Sequence, residues 1–158
     1  MKILVMSDTH ENCALAFRAI DMASPIDAVV HLGDFCKDAE LLSHALDVPL
    51  IRVAGNCDFG SDAAREYVWE HAGKRLLLLH GDRYGVKSGL SRLEKHAVEI
   101  GVDAVLYGHT HCADVTTRSG ILFINPGALS LASTNKTFAI VEIGPFGVSA
   151  ILHEIPSP

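Results

Sequence analysis

Long apolar runs are missing from this 158-residue chain. No stretch approaches the roughly 18–20 apolar residues that a membrane-crossing helix requires, so no membrane partner is expected. The apolar run Ile3-Leu4-Val5-Met6 is cut short by Ser7-Asp8. That is too soon for a secretory h-region, and a cytoplasmic location is the expectation. Cysteine is sparse. Cys13, Cys36, Cys57 and Cys112 are scattered without a C-x-x-C pair, which excludes a disulfide framework and fits reduced thiols. Basic charge is short too: 13 Lys and Arg stand against 19 Asp and Glu, a net −6. A broad electrostatic grip on extended nucleic acid is therefore not expected. Repeats, linkers and low-complexity tracts are absent as well. Yet 49% of the residues are hydrophobic, enough to bury a sizeable core. The length suits a single domain over residues 1–158 without a cap.

What the chain does have is histidine, nine residues in all. Its setting is a series of short apolar runs. Ile3–Met6, Ala28–Leu32 and Leu50–Ala54 alternate with helical patterns, Leu15, Ala19 and Met22 in the first and Leu41, Leu42, Ala45 and Leu46 in the second. That order predicts a parallel, doubly covered sheet. Further on, Arg65–His71 and Lys74–Leu79 flank Ala72-Gly73, and Asp114–Arg118 and Ile121–Asn125 flank Ser119-Gly120. Thr137–Ile143 and Val148–His153 flank a Gly-Pro-Phe-Gly turn. These read as hairpins, so the second half adds antiparallel strands. Leu90, Leu93, Ala97 and Ile100 predict one more helix, closed by Gly101. Ala104–Tyr107 is a further strand. Two packed sheets with helices outside account for the pattern.

The polar residues fall at the C-terminal ends of the apolar runs. The runs lead into Asp8-Thr9-His10, Gly33-Asp34, Gly55-Asn56-Cys57-Asp58, His80-Gly81-Asp82 and Gly108-His109-Thr110-His111. In open α/β sheets that edge is where sites are built. Asp8, His10, Asp34, Asn56, His80, His109 and His111 supply carboxylates, an amide and imidazoles, too many ligands for one ordinary ion. They suit two divalent ions sharing a carboxylate, whose two oxygens can bridge. Mixed N/O ligation points to Mn²⁺, Fe or Zn²⁺ and away from Ca²⁺ or an iron–sulfur cluster. Such a pair activates water and clamps a phosphoryl group for in-line displacement.

These five ordered motifs resemble the calcineurin-like metallophosphoesterases, and within them the small, cap-less phosphodiesterases of the YfcE type. The Ile124-Asn125-Pro126-Gly127 segment strengthens the likeness. The resemblance implies an α/β fold of mixed strands, a two-sheet β-sandwich flanked by helices (αββα). It implies that Asp8, His10 and His111 hold one metal, that Asn56, His80 and His109 hold the other, and that Asp34 bridges them. A metal-bridging hydroxide would then attack phosphorus, with Asp34, Asn56 and His109 positioning the phosphate through the metals. Manganese is the first expectation, with nickel, iron or zinc as alternatives. A small phosphodiester or nucleotide is the implied substrate, and homo-oligomers are common among such relatives.

Two positions depart from the wider pattern. Cys57 stands where Ser/Thr phosphatase relatives carry a general-acid histidine, so the thiol is a candidate proton donor. Asp82 stands where many relatives carry a second histidine, and the expectation is that it orients a ligand imidazole. Asp58 is expected to support the ligands from behind. Arg83 could meet a phosphate or remain a solvated loop residue. His31 is expected to be packed in its strand, and Cys13, Cys36 and Cys112 to be small buried hydrophobes. Two other functions compete with a phosphodiesterase. A phosphomonoesterase would call for extra cations, which do not border the motifs. A non-catalytic scaffold of the same fold would be expected to have lost a ligand.

Overall fold

A computed structural model describes residues 1–156. Ten strands and three helices follow one another as β1 (Lys2–Met6), α1 (Cys13–Ala23), β2 (Ala28–His31), α2 (Cys36–Ala45), β3 (Leu50–Arg52), β4 (Glu66–His71), β5 (Lys74–Leu79), α3 (Ser91–Ile100), β6 (Ala104–Tyr107), β7 (Asp114–Arg118), β8 (Ile121–Asn125), β9 (Thr137–Gly144) and β10 (Gly147–Glu154). Two short 3₁₀ turns, Asp82–Tyr84 and Val86–Ser88, lead from β5 towards α3. The strands form two five-stranded sheets, ordered β10-β9-β1-β2-β3 and β4-β5-β6-β8-β7.

Both faces of the central strands are covered, which is why they are apolar without alternation. Ile3, Val5, Val30, Leu76, Leu78 and Leu106 meet between the sheets. Leu4, Met6 and Val29 point the other way, onto Ala16, Ala19 and Leu42 of α1 and α2. Leu77, Leu79 and Val105 pack under Leu93 and Ala97 of α3. Each buried Val, Leu, Ile or Met among them stabilises the fold by about 1.5–3 kcal/mol. The expected αββα sandwich is therefore the fold observed. No described helix is long and apolar enough to cross a membrane.

Local signals set the helix ends. Asn12 caps α1 by accepting the Leu15 N–H at 3.3 Å. Gly101 closes α3 at φ 66°, its N–H reaching the Ala97 and Val98 carbonyls. The chain dips into the left-handed region there, which glycine enters without strain.

Three expectations need correction. Met22 and Leu41 are exposed. The buried stripe of α1 is Ala16, Ala19, Ile20 and Ala23, one residue round from the predicted face. In α2 it is Cys36, Asp38, Ala39 and Leu42, because an acid is turned inward. The second sheet is also less antiparallel than its hairpins suggest, since β5–β6 and β6–β8 pair in parallel.

Candidate metal centre

All five motif loops emerge at one edge of the sandwich. β1 leads to Asp8 and His10, β2 to Asp34, β3 to Asn56, β5 to His80, and β6 to His109 and His111. The backbone is unusual there. Asp8, His10, Asp34, His109 and His111 have φ of 55°, 47°, 56°, 69° and 60°. Asp and His tolerate the left-handed region better than most residues, but it still costs on the order of 1–3 kcal/mol each and collects at functional sites. Glycine lets the loops close in. A Cβ on Gly55 would fall on the Asp34 carboxylate, and one on Gly108 on the Ser7 hydroxyl.

Three sets of ligand atoms come within 4.8 Å of one another: Asp8, His10 and His111; Asp34, His80 and His109; and, linking them, His10, Asp34 and Cys57. Asn56 joins the second set, its Oδ1 3.1 Å from His80 Nε2. His80 Nε2 is also 3.1 Å from His109 Nδ1 and 3.5 Å from Asp34 Oδ2.

Hydrogen bonding shows what this arrangement wants. His80 Nδ1 is 2.8 Å from the Leu32 carbonyl. A carbonyl only accepts, so Nδ1 carries a proton and donates. Nε2 then points a lone pair at an amide oxygen, a carboxylate oxygen and another imidazole. Several acceptors converge there, and a second proton on the ring or a bound cation would satisfy them. The second sign is at Asp8 Oδ1 and His10 Nε2. Among the described residues, these are the buried side-chain polar atoms without a hydrogen-bond partner. They lie 4.0 Å apart. Two ligands each about 2.1 Å from a shared ion stand roughly 3–4 Å apart, so the pair fits a divalent metal. The ion-pair partners of Asp8 and Asp34 among the described residues are all imidazoles.

Proton affinities follow from the same crowding. Burial opposes the charge on Asp8, but His111, His80 and Ser7 outweigh it and hold the pKa below its ordinary value. Burial likewise opposes the Asp34 charge, and His80 with the Cys57 N–H overcomes it, again lowering the pKa. His80 is raised: burial resists its protonation, while Asp34 and Asp8 favour it. His111 is raised by Asp8. His109 is lowered by burial and by the charge on His80. The carboxylates thus favour the charged form of His80 and His111, and a divalent ion bound there would compete with those protons.

Asp58 clamps the centre. It is buried, accepts the Asp34 and Gly55 N–H groups at 2.9 and 2.8 Å through Oδ2, and takes the Cys36 N–H at 2.6 Å through Oδ1. Cys57 donates its own N–H to Asp34 Oδ1 at 2.9 Å. Its thiol is pushed up to about 11 by desolvation and by Asp34. Asp82 sits in the 3₁₀ turn, and among the described residues its carboxylate makes no hydrogen bond to an imidazole; the Leu32 carbonyl orients His80 instead. Arg83 is exposed beside Arg65 on a separate groove. Cys112 is exposed, contrary to expectation, while Cys36 is buried and Cys13 partly so.

Several supporting residues carried no strong sequence signal. Ser7 donates to Asp8 Oδ2 at 2.6 Å, and the His109 N–H reaches the same oxygen at 3.1 Å. Buried Asp38 accepts the Thr9 hydroxyl at 2.5 Å and the Glu11 N–H at 3.0 Å. His31 does more than pack. Its Nδ1 accepts the Gly33 N–H at 3.2 Å, and its other nitrogen lies 3.1 Å from Thr9 Oγ1. Buried Asn125 donates to the Gly108 carbonyl and Thr110 Oγ1, fixing the loop that carries His109 and His111.

The chain matches the calcineurin-like phosphoesterase superfamily domain over residues 1–144 and belongs to that family. It is 33% identical over 146 residues to the probable metallophosphoesterase YsnB of Bacillus subtilis (strain 168), covering 90% of this chain and 85% of the relative. It is 28% identical over 156 residues to the phosphodiesterase YfcE of Escherichia coli (strain K12), covering 83% of this chain and 80% of that one. Among solved structures, Vps29 of Chaetomium thermophilum superposes with a TM-score of 0.79 at 20% identity, covering 99% of this chain and 89% of the other. That last likeness speaks for the fold alone.

Proposed function

We propose that this chain is a metal-dependent phosphodiesterase acting on a small phosphodiester or nucleotide. One observation carries the reading: ligand atoms of Asp8, Asp34, Asn56 and the four motif imidazoles converge, with Asp8 Oδ1 and His10 Nε2 buried and unpartnered among the described residues. In this reading Asp8, His10 and His111 hold one ion, Asn56, His80 and His109 hold a second, and Asp34 is shared. The membership of Asp34 in two of the three ligand sets supports the sharing. Divalent ions there, manganese first with nickel, iron or zinc as alternatives, would supply Lewis acidity, acidifying water and stabilising charge on phosphoryl oxygens.

The remaining work falls to the chain. Asp58 and the Cys57 N–H fix Asp34, and the Leu32 carbonyl fixes the His80 ring, so the ligands are aimed before substrate arrives. The Cys57 thiol, held protonated near neutral pH, places a proton beside Asp34 and the substrate mouth. As a weak acid it favours esters with good leaving groups. No arginine or lysine pairs with Asp8 or Asp34 among the described residues, while the charge of Lys87 reaches His109 and His111. One lysine near the imidazoles suits a singly charged diester better than a monoester dianion. We read residues 1–158 as one domain, with no cap among the described residues.

The test is hydrolysis of bis-p-nitrophenyl phosphate against p-nitrophenyl phosphate by protein stripped with chelator and resupplied with Mn²⁺. Metal-dependent turnover of the diester is expected, with the monoester slower. Asp34→Asn is expected to abolish turnover and lower metal content. Full activity in that variant with two metals bound would overturn the shared-ligand assignment. Preference for the monoester would make the chain a phosphomonoesterase, and inertness towards both with metals bound would make it a scaffold.

A further inference from the structure

Beside the metal cluster lies a groove of about 410 Å³ that the ligand assignment leaves unused. Its walls are the two loops that Asp58 clamps together. Phe35 and Lys37 stand on one side, Cys57, Phe59 and Asp62 on the other, with Glu40 of α2 behind. Phe59 is 91% exposed, although its ring has much to gain from a partner. Phe35 adopts φ 75°, a conformation rare for a bulky residue. Its ring meets His10 edge-on, with centroids 5.1 Å apart. Cys57 belongs both to the groove and to the ligand set of His10 and Asp34. The groove therefore opens from the place where the ester would react.

Charge narrows the occupant. Glu11, Glu40, Asp58 and Asp62 line the groove, against Lys37. Asp58 is occupied by backbone N–H groups. Arg52 bridges Glu40 and Asp62 at 3.1 and 2.7 Å, tying the two walls together. With Asp58 set aside, Glu11, Glu40 and Asp62 stand against Lys37 and Arg52, so a second phosphate finds no surplus of cations. A flat, uncharged ring with N–H donors instead finds aromatic faces and acceptor oxygens.

We propose that this groove binds the amino-bearing nucleobase of a nucleoside phosphodiester with a single phosphate, and that Phe59 stacks on the base. The assignment rests on the phosphodiesterase reading above for the reacting end of the substrate.

The p-nitrophenyl esters of adenosine 5′-phosphate and of methyl phosphate share the reacting phosphorus and the leaving group. With the full Mn²⁺-loaded chain, the KM for the adenosine ester is expected to lie about tenfold or more below that of the methyl ester, the scale of one base–aromatic stack. Phe59→Ala is expected to bring the two KM values within about threefold, and Phe59→Trp to restore the gap. The thymidine ester, whose base has no exocyclic amine, is expected to fall between them. Calorimetry with adenosine 5′-phosphate against methyl phosphate reads binding without diester turnover. Equal KM values in the wild type, or a gap that survives Phe59→Ala, would overturn the groove assignment and leave the phosphodiesterase reading intact. A thymidine KM equal to the adenosine value would overturn the role given to the acidic rim. Turnover of neither ester, with adenosine 5′-phosphate binding weakened by Phe59→Ala, would overturn the phosphodiesterase reading and support the groove. Binding indifferent to Phe59 would overturn the groove as well.

Discussion

The two ligand trios are held differently. In the deep one, His80 is buried with its ring anchored on the Leu32 carbonyl, and Asp34 is held through its N–H by Asp58 and through Oδ1 by the Cys57 N–H. In the open one, Asp8 is just as buried, but His10 is half-buried and His111 exposed. His10 Nε2 has no partner, and His111 Nε2 lies 3.0 Å from Asp8 Oδ1 without hydrogen-bond geometry. The fold itself orders His80 and Asp34, while Asn56 is exposed and His109 half-buried; the open trio would be completed by a bound ion. An ion in the deep site is therefore expected to bind more tightly, since fewer groups must be ordered on arrival.

The strongest way to break that contrast is to remove one imidazole from each trio. His80→Ala is expected to reduce diester turnover on the order of 10³-fold and to leave at most one metal per chain by elemental analysis. His111→Ala is expected to cost roughly tenfold and to spare the deep ion. Equal losses would show that the trios act as one unit. A smaller effect is expected from Asp58→Ala. Three backbone N–H groups lose their acceptor, and chemical denaturation of the metal-free protein should show a loss of about 2–4 kcal/mol. An unchanged midpoint would mean that the loops hold themselves.

The smallest effect concerns His31, which lies beneath both trios between Thr9 and Gly33. Burial depresses its pKa to about 4, against the partial opposition of Asp38 and Asp8. The native state therefore prefers neutral imidazole. The stability this gives is present above about pH 6.5 and is lost as the pH falls towards 4. Between pH 7 and 5 the metal-free protein is expected to lose about 1–2 kcal/mol through this group. His31→Gln should flatten the slope of stability against pH by that amount, and an unaltered slope would exclude His31 as the titrating group.

The contrast between the trios was not legible in the sequence, although their members were. Asp8, Asp34, Asn56 and the histidines interrupt apolar runs, so period and punctuation expose them. What holds them does not interrupt anything. Leu32 acts through its carbonyl, Ser7 reads as the end of a strand, and Asp38 sits in a helical pattern where an acid is assumed to face water. Asp58 was noticed through its motif, but its three bonds depend on the spacing between two loops. Asp82 makes no hydrogen bond to an imidazole among the described residues, and its charge reaches His109 rather than orienting a ring by contact. Strand existence was equally plain, while the parallel pairing of β5, β6 and β8 was not. Pairing partners depend on the path of the chain between strands.

The bond from the His109 N–H to Asp8 joins residues 101 positions apart. A centre closed by so distant a pair needs both sheets in place. Closing that loop costs entropy, so the ligands are expected to assemble late in folding. Metal added to the unfolded chain would meet scattered imidazoles and thiols, with no shared geometry to grip. Ion uptake measured during refolding therefore times the docking of the two sheets.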